Sequence, residues 1–137
     1  SRLMRERKLL REQDVREVGP HEWEVRVEGP PQSLYAGETY RLRFRFPPEY
    51  PIQPPEVTFA GRPPLHHHVY SNGFICLSLL YDGWSAALTV PAVCLAITSM
   101  LGSAREKRPP ANDADLCRRA QGRSPQDFSW TFDDDTC

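Results

Sequence analysis

Two stretches of the chain alternate strictly between apolar and polar positions. In HEWEVRVEG, Trp23, Val25 and Val27 fall on one side and Glu22, Glu24, Arg26 and Glu28 on the other. In YRLRFRF, Tyr40, Leu42, Phe44 and Phe46 alternate with Arg41, Arg43 and Arg45. Strand side chains point to opposite faces in turn, so this period predicts two half-buried strands. The outer face of the first is mostly acidic and that of the second wholly basic. Opposite charges across a pair contribute about 0.2–1 kcal/mol each, which favours these strands as antiparallel neighbours. The connector GPPQSLYAGE is too long for a two-residue turn and leaves the register open. A third strand, EVTFA, follows PPEYPIQPP, whose prolines fix φ and remove donors; that segment is expected to be stiff, extended and outside any ladder.

The pattern turns helical at two places. In SRLMRERKLLRE, Leu3, Met4, Leu9 and Leu10 stand among charges, predicting a short amphipathic helix with a basic outer face. In TVPAVCLAITSMLGSA, Val90, Val93, Ile97, Met100 and Leu101 share one helical face. Thr89 is a natural N-cap, Pro91 sits in the first turn where its missing N–H costs nothing, and Gly102 is a candidate terminator. This helix is mostly apolar and is expected to cover the sheet. The order is helix, antiparallel strands, irregular segment and buried helix, which makes the fold class α+β. The reading divides the chain into a core domain at 1–125 and an acidic, flexible tail at 126–137, QDFSWTFDDDTC.

Composition narrows the function classes. The chain has 137 residues, 39% of them hydrophobic and 26% charged, which suits one domain with a real core. A formal net charge of −1 supplies no general field for nucleic acid or a membrane surface, and neither is expected as a partner. No apolar run approaches the roughly 20 residues of a membrane span. No signal-peptide pattern is visible, although the chain opens at Ser1 rather than at a methionine. The cysteines, Cys76, Cys94, Cys117 and Cys137, form no CxxC pair, as expected of reduced thiols in the cytoplasm or nucleus.

The richest local string is LHHHVYSNGFICLSLL, residues 65–80. His66, His67 and His68 precede Cys76, with Ser71, Asn72 and Gly73 between. Read with LYAGETYRLRFRFPPEYPIQPPEV before it and WSAALTV after it, this string resembles the ubiquitin-conjugating enzymes. Those carriers hold ubiquitin as a thioester between activating enzyme and ligase. Their pattern is a His-Pro-Asn triplet, a Tyr-Ser-Asn-Gly type of turn, Ile-Cys-Leu, and Trp-Ser-Pro-Ala-Leu. The EKR-PP segment and the closing DDTC are most similar to the W-type branch, which attaches ubiquitin to protein N-termini.

The resemblance implies the ubiquitin-conjugating fold, an activity that needs no cofactor, and Cys76 as the thioester cysteine. The residues themselves favour Cys76. Cys94 lies at helical spacing beside core positions, whereas Cys117 and Cys137 stand in a polar C-terminal region without evident companions. His66 keeps the first position of the triplet, whose family role is to hold local backbone. His68 replaces the asparagine that steadies the loop and the oxyanion; a neutral imidazole can also donate one hydrogen bond, so catalytic and structural roles are both open. Asn72 and Trp84 are expected to support the active loop.

Ser78 stands where lysine-directed relatives carry aspartate, and Asn112 and Asp113 fall near a second family acid. An acid-poor site matters because a thioester is attacked by free amine. With pKa values near 7.7–8.0 for an α-amine and 10.4 for lysine, the free-base fractions at neutral pH differ by roughly a few hundred-fold. Protein N-termini are therefore the expected acceptors. The implied partners are ubiquitin, its activating enzyme, RING or U-box ligases, and substrates with accessible N-termini. Arg2, Arg5 and Lys8 on the first helix match the activating-enzyme and ligase surface, joined by Ile52 and Ala86 at family docking positions.

Three other readings compete. Zinc on the histidines and Cys76 lacks a fourth ligand at a recurrent spacing, so no metal is assigned. A cysteine–histidine hydrolase lacks its surrounding signature. A catalytically silent, ubiquitin-binding relative remains the alternative of a different class.

Overall fold

The structure, a computed structural model, describes residues 1–132, 134 and 137. Strands β1 (Val15–Gly19), β2 (Glu22–Glu28), β3 (Thr39–Arg45) and β4 (Glu56–Ala60) form one antiparallel sheet in sequential order. The two alternating stretches are neighbours, as their charges required. Trp23 faces Phe44 and Val25 faces Leu42 on the inner side; Glu22 faces Arg45 and Glu24 faces Arg43 on the outer. Glu24 becomes the centre of a small grid, with Arg43 at 2.6 Å, Arg16 at 2.8 Å and Arg41 at 3.3 Å. The Arg43 hydrogen bond above all holds its carboxyl below the usual range. One pairing runs against the rule, since Arg26 faces Arg41; Arg26 instead reaches Glu28 at 2.7 Å.

Strand β1 was not visible in the alternation. Only Val15 of VREVG is buried, and the register slips between Glu17 and Gly19, so an edge strand with an irregularity shows no clean period.

Helix α1 spans Arg2–Arg7, α2 Val90–Gly102 and α3 Asp113–Arg119. The buried residues of α2 are Val90, Val93, Ile97, Met100 and Leu101, the face the spacing predicted. They pack with Trp23, Val25, Leu42, Phe44 and Val57 in one cluster, giving the expected α+β arrangement. The Thr89 hydroxyl accepts from the Ala92 N–H, and Pro91 sits in the first turn. Among the described residues, no helix is long and apolar enough to cross a membrane.

Helix α1 is fastened by an acid the sequence reading did not single out. Glu6 is 2% exposed. Its carboxylate accepts from the Val90 N–H at 2.6 Å, from the Tyr50 hydroxyl at 2.5 Å and from Arg2 Nε at 2.7 Å. One negative group thus caps the start of α2, where the helix dipole favours it, and binds α1 and the proline-rich segment to the same point. Arg2 extends the knot by donating to the carbonyls of Ala86 (2.9 Å) and Leu88 (2.7 Å).

Glu6→Ala leaves the Val90 N–H and the Tyr50 hydroxyl without this acceptor. Buried unpaired donors cost about 1–3 kcal/mol each, so urea unfolding should show a loss of about 2–4 kcal/mol, with Glu6→Gln recovering part of it.

Candidate active site

The segment from His66 to Cys76 folds back on itself. Val69 pairs with His66 on one side and with Ile75 on the other. The Tyr70 N–H donates to the Phe74 carbonyl and the Cys76 N–H to the His68 carbonyl, at 2.9 and 2.8 Å. The turn is Ser71-Asn72-Gly73, where Asn72 Oδ1 accepts from the Phe74 N–H at 3.0 Å. Gly73 is required twice. Its φ is +95°, and a Cβ there would stand 2.4 Å from the Phe59 carbonyl oxygen. Its own carbonyl accepts from the Phe59 N–H at 2.9 Å, which ties the turn to β4.

His66 is wholly buried. The His68 N–H donates to its Nδ1 at 2.9 Å, so the ring proton sits on Nε2 and is donated to the Met100 carbonyl at 3.1 Å. Burial pushes the imidazole down to about 4, and the ring stays neutral. Asn112 and Asp113, at the start of α3, brace the other side of the loop. Asn112 Oδ1 accepts from the Tyr70 hydroxyl (2.9 Å) and Asp113 Oδ1 from the Ser71 N–H (2.8 Å).

Cys76 therefore ends a hairpin held on both flanks. Its side chain lines a cleft of about 680 Å³ together with His68, Tyr70, Asn112, Trp130 and Asp134, among others. The residue is only 8% exposed, and the C-terminal segment covers it. Cys76 Sγ donates to the Thr131 carbonyl at 3.5 Å and lies 4.0 Å from Cys137 Sγ. Cys137 Sγ is 2.6 Å from His68 Nδ1, while His68 Nε2 is 2.8 Å from Asp134 Oδ2. The Ser78 N–H donates to the Cys137 carbonyl at 2.6 Å.

This cover departs from the flexible tail expected at 126–137. The division at 125/126 falls inside a packed cluster: Trp130 stacks on Tyr81 at 5.1 Å, and Phe128 meets Phe74 edge-on at 6.1 Å. The signal was present in FSWTF, where Phe128, Trp130 and Phe132 alternate with Ser129 and Thr131. The acidic run beside it drew attention away. Of the tail, Asp133, Asp135 and Thr136 lie outside the described residues. Asp127 and Asp134, which line the cleft, were also not singled out.

The other thiols differ. Cys94 is pushed up to about 12 by burial in α2, which leaves it unreactive. The expectation that Cys117 and Cys137 lack companions is corrected. Cys117 lies 3.4 Å from Ser71 Oγ and 3.5 Å from Asp113 Oδ1, and Cys137 joins Cys76 and His68. Trp84 supports a different loop from the one around Cys76: its Nε1–H donates to the Pro51 carbonyl at 2.8 Å, beside Ile52. Ile52 is 73% exposed, and Met4, Leu9 and Ala86 are exposed too. Arg5 and Lys8 face solvent, whereas Arg2 is committed to Glu6.

Comparison with known proteins places these features in a family. The family model for ubiquitin-conjugating enzymes matches residues 2–128. A probable ubiquitin-conjugating enzyme E2 W of Dictyostelium discoideum is 50% identical over 114 residues, covering 83% of this chain and 76% of that one. The ubiquitin-conjugating enzyme E2 W of Caenorhabditis elegans is 47% identical over 116 residues, covering 84% and 76%. Among solved structures, the ubiquitin-conjugating enzyme UbcA1 of Agrocybe aegerita superposes with a TM-score of 0.80 at 37% identity, over 85% of this chain and 91% of that one.

The buried neutral imidazole makes the fold sensitive to acid. The unfolded chain protonates His66 near 6.5 while the folded chain resists to about 4. Its contribution is therefore complete above pH 6.5 and is lost as pH falls from 6.5 toward 4, to a limit of about 3 kcal/mol. His67, also lowered by burial, acts in the same direction. Unfolding free energy measured by urea between pH 7 and 4.5 should fall, and the slope should flatten in His66→Gln.

Proposed function

The chain belongs to the ubiquitin-conjugating enzyme family, and on that premise we propose that Cys76 is its carrier thiol and protein α-amines its acceptors. The observation that carries this is the hairpin ending in Cys76, which lines a cleft beneath the C-terminal segment. In loading, the Cys76 thiolate attacks the activated ubiquitin carboxyl held on the activating enzyme, whose own sulfur leaves. In transfer, a neutral amine attacks the thioester carbonyl, the C–S bond breaks, and the amine proton passes to solvent or a nearby base. His66 and the His68 carbonyl position Cys76 through backbone hydrogen bonds. Thr131 and Cys137 must move off the sulfur before ubiquitin can reach it.

The preference for α-amines is supported by the site's carboxylates. Ser78 supplies none, and Asp113 is turned to the Ser71 N–H. Asp134 is engaged with His68 and sits 3.5 Å from His67 Nε2. An acceptor with a far larger free-base fraction than lysine needs less help from such groups. A RING or U-box ligase would dock on the exposed patch of Ile52, Met4 and Ala86, with Arg5 and Lys8 beside it and Trp84 stiffening the Ile52 loop. The covering of Cys76 favours the second reading, a silent ubiquitin-binding scaffold.

Incubation with activating enzyme, ATP and ubiquitin separates the two. A carrier gives an adduct that thiol reductant cleaves and Cys76→Ala abolishes, whereas a scaffold gives none. The loaded protein should then discharge several-fold faster onto an α-amino peptide than onto free lysine near pH 7.5; faster discharge onto lysine overturns the acceptor assignment.

A further inference from the structure

The sequence offers no fourth ligand for a metal at the histidine triplet, but the fold brings in a distant cysteine. Ligand atoms of His68, Cys76 and Cys137 all lie within 4.8 Å of one another. We infer that these three side chains form a site for a thiophilic divalent cation of the zinc class, and that occupation pins the C-terminal segment over the Cys76 sulfur.

The chemistry of the donor set fits. Two thiolates and an imidazole are the soft and borderline ligands that zinc prefers, and three protein ligands leave a fourth position for water, as in exchangeable sites. The imidazole is already oriented for the task. His68 Nε2–H donates a hydrogen bond to Asp134 Oδ2 at 2.8 Å, a tautomer that turns the Nδ1 lone pair toward the Cys137 sulfur. A carboxylate behind a ligating histidine is the usual outer partner of zinc, fixing the tautomer and raising the basicity of the ring. His67 stands beside the same carboxylate at 3.5 Å and offers a second anchor for it. His66 takes no part, because both of its nitrogens are engaged in backbone hydrogen bonds.

The spacing is close to what a metal needs. Bonds of about 2.3 Å to sulfur and 2.0–2.1 Å to nitrogen in a tetrahedron separate the ligand atoms by roughly 3.4–3.8 Å. The two sulfurs are 4.0 Å apart. Cys137 Sγ is 2.6 Å from Nδ1, closer than the metal geometry requires, and must move away by about 1 Å on binding. The Cys137 carbonyl takes the Ser78 N–H, which anchors its backbone two residues beyond Cys76. Binding is not a redox step. Two S–H protons are released to solvent as two metal–sulfur bonds and one metal–nitrogen bond form, so affinity rises with pH.

The consequence for the carrier rests on the reading of Cys76 given above, but the site itself does not. Zinc binding is therefore measured first without ubiquitin or activating enzyme, on untagged, metal-free full chain kept reduced with a phosphine, by competition against a chromogenic chelator. The expected result is one zinc per chain, with affinity falling more than 10-fold in Cys137→Ser and about 10-fold in Asp134→Asn. Cobalt as a probe should show sulfur-to-metal charge-transfer absorbance that Cys137→Ser diminishes. Absence of zinc binding by the unaltered chain, or equal binding by Cys137→Ser, overturns the site. In the charging reaction, zinc should suppress the ubiquitin adduct of the unaltered chain at concentrations that spare Cys137→Ser. Equal suppression of both, or of neither, overturns the masking role while leaving the binding measurement to judge the site on its own.

Discussion

A single buried imidazole holds the geometry on which the chemistry depends. His66 sits in the core with its Nε2–H on the Met100 carbonyl of α2 and its Nδ1 receiving the His68 N–H. The His68 carbonyl in turn receives the Cys76 N–H, so the position of Cys76 is referred back to the core helix through one ring. Only a neutral imidazole can donate at one edge and accept at the other, and burial above all, with the neighbouring His67 and His68, keeps it neutral as the solution becomes acidic. The ring stacks face to face on His67, with centroids 4.5 Å apart and planes nearly parallel, so a second imidazole covers one of its faces.

The sheet and core helix were legible because each presents one face to water and one to the interior. Alternation in β2 and β3 and the 3.6-residue spacing in α2 are direct records of that division, and cross-strand charges supplied the pairing. Strand β1 left no such record, since an edge strand with most side chains in water has little reason to alternate. Glu6 was hidden for the opposite reason. A buried acid looks in sequence like any surface acid, and its role appears only when three separate segments converge on it.

The site was legible in its local half. The hairpin's turn, its glycine and its cysteine stand within a few residues of one another, and the family resemblance rests on that block. The other half is assembled from the far end of the chain, where Trp130 stacks on Tyr81 and Cys137 reaches His68. Contacts between residues so far apart in the chain leave no periodic trace, and the acidic composition beside FSWTF favours an unstructured reading of a segment whose aromatic side chains are in fact packed. Arg119 and Arg123 lie over the Phe128 ring at 5.6 and 5.0 Å, so even the neighbouring positive charges take part in that packing.

Gly73 carries a wider consequence. Because the Phe59 backbone occupies the space a side chain would need, the turn before the thiol is keyed directly to the outermost strand of the sheet. The hairpin that ends in Cys76 thus inherits its stiffness from the sheet edge. Diversity in this loop can accumulate at the solvent-facing Ser71, which Asp113 holds through its backbone, while the tripeptide's last member is barred from varying by a clash that no rotamer change relieves. Altering Phe59's strand, by contrast, offers a remote handle for retuning the sulfur's placement without touching any group that bonds to it.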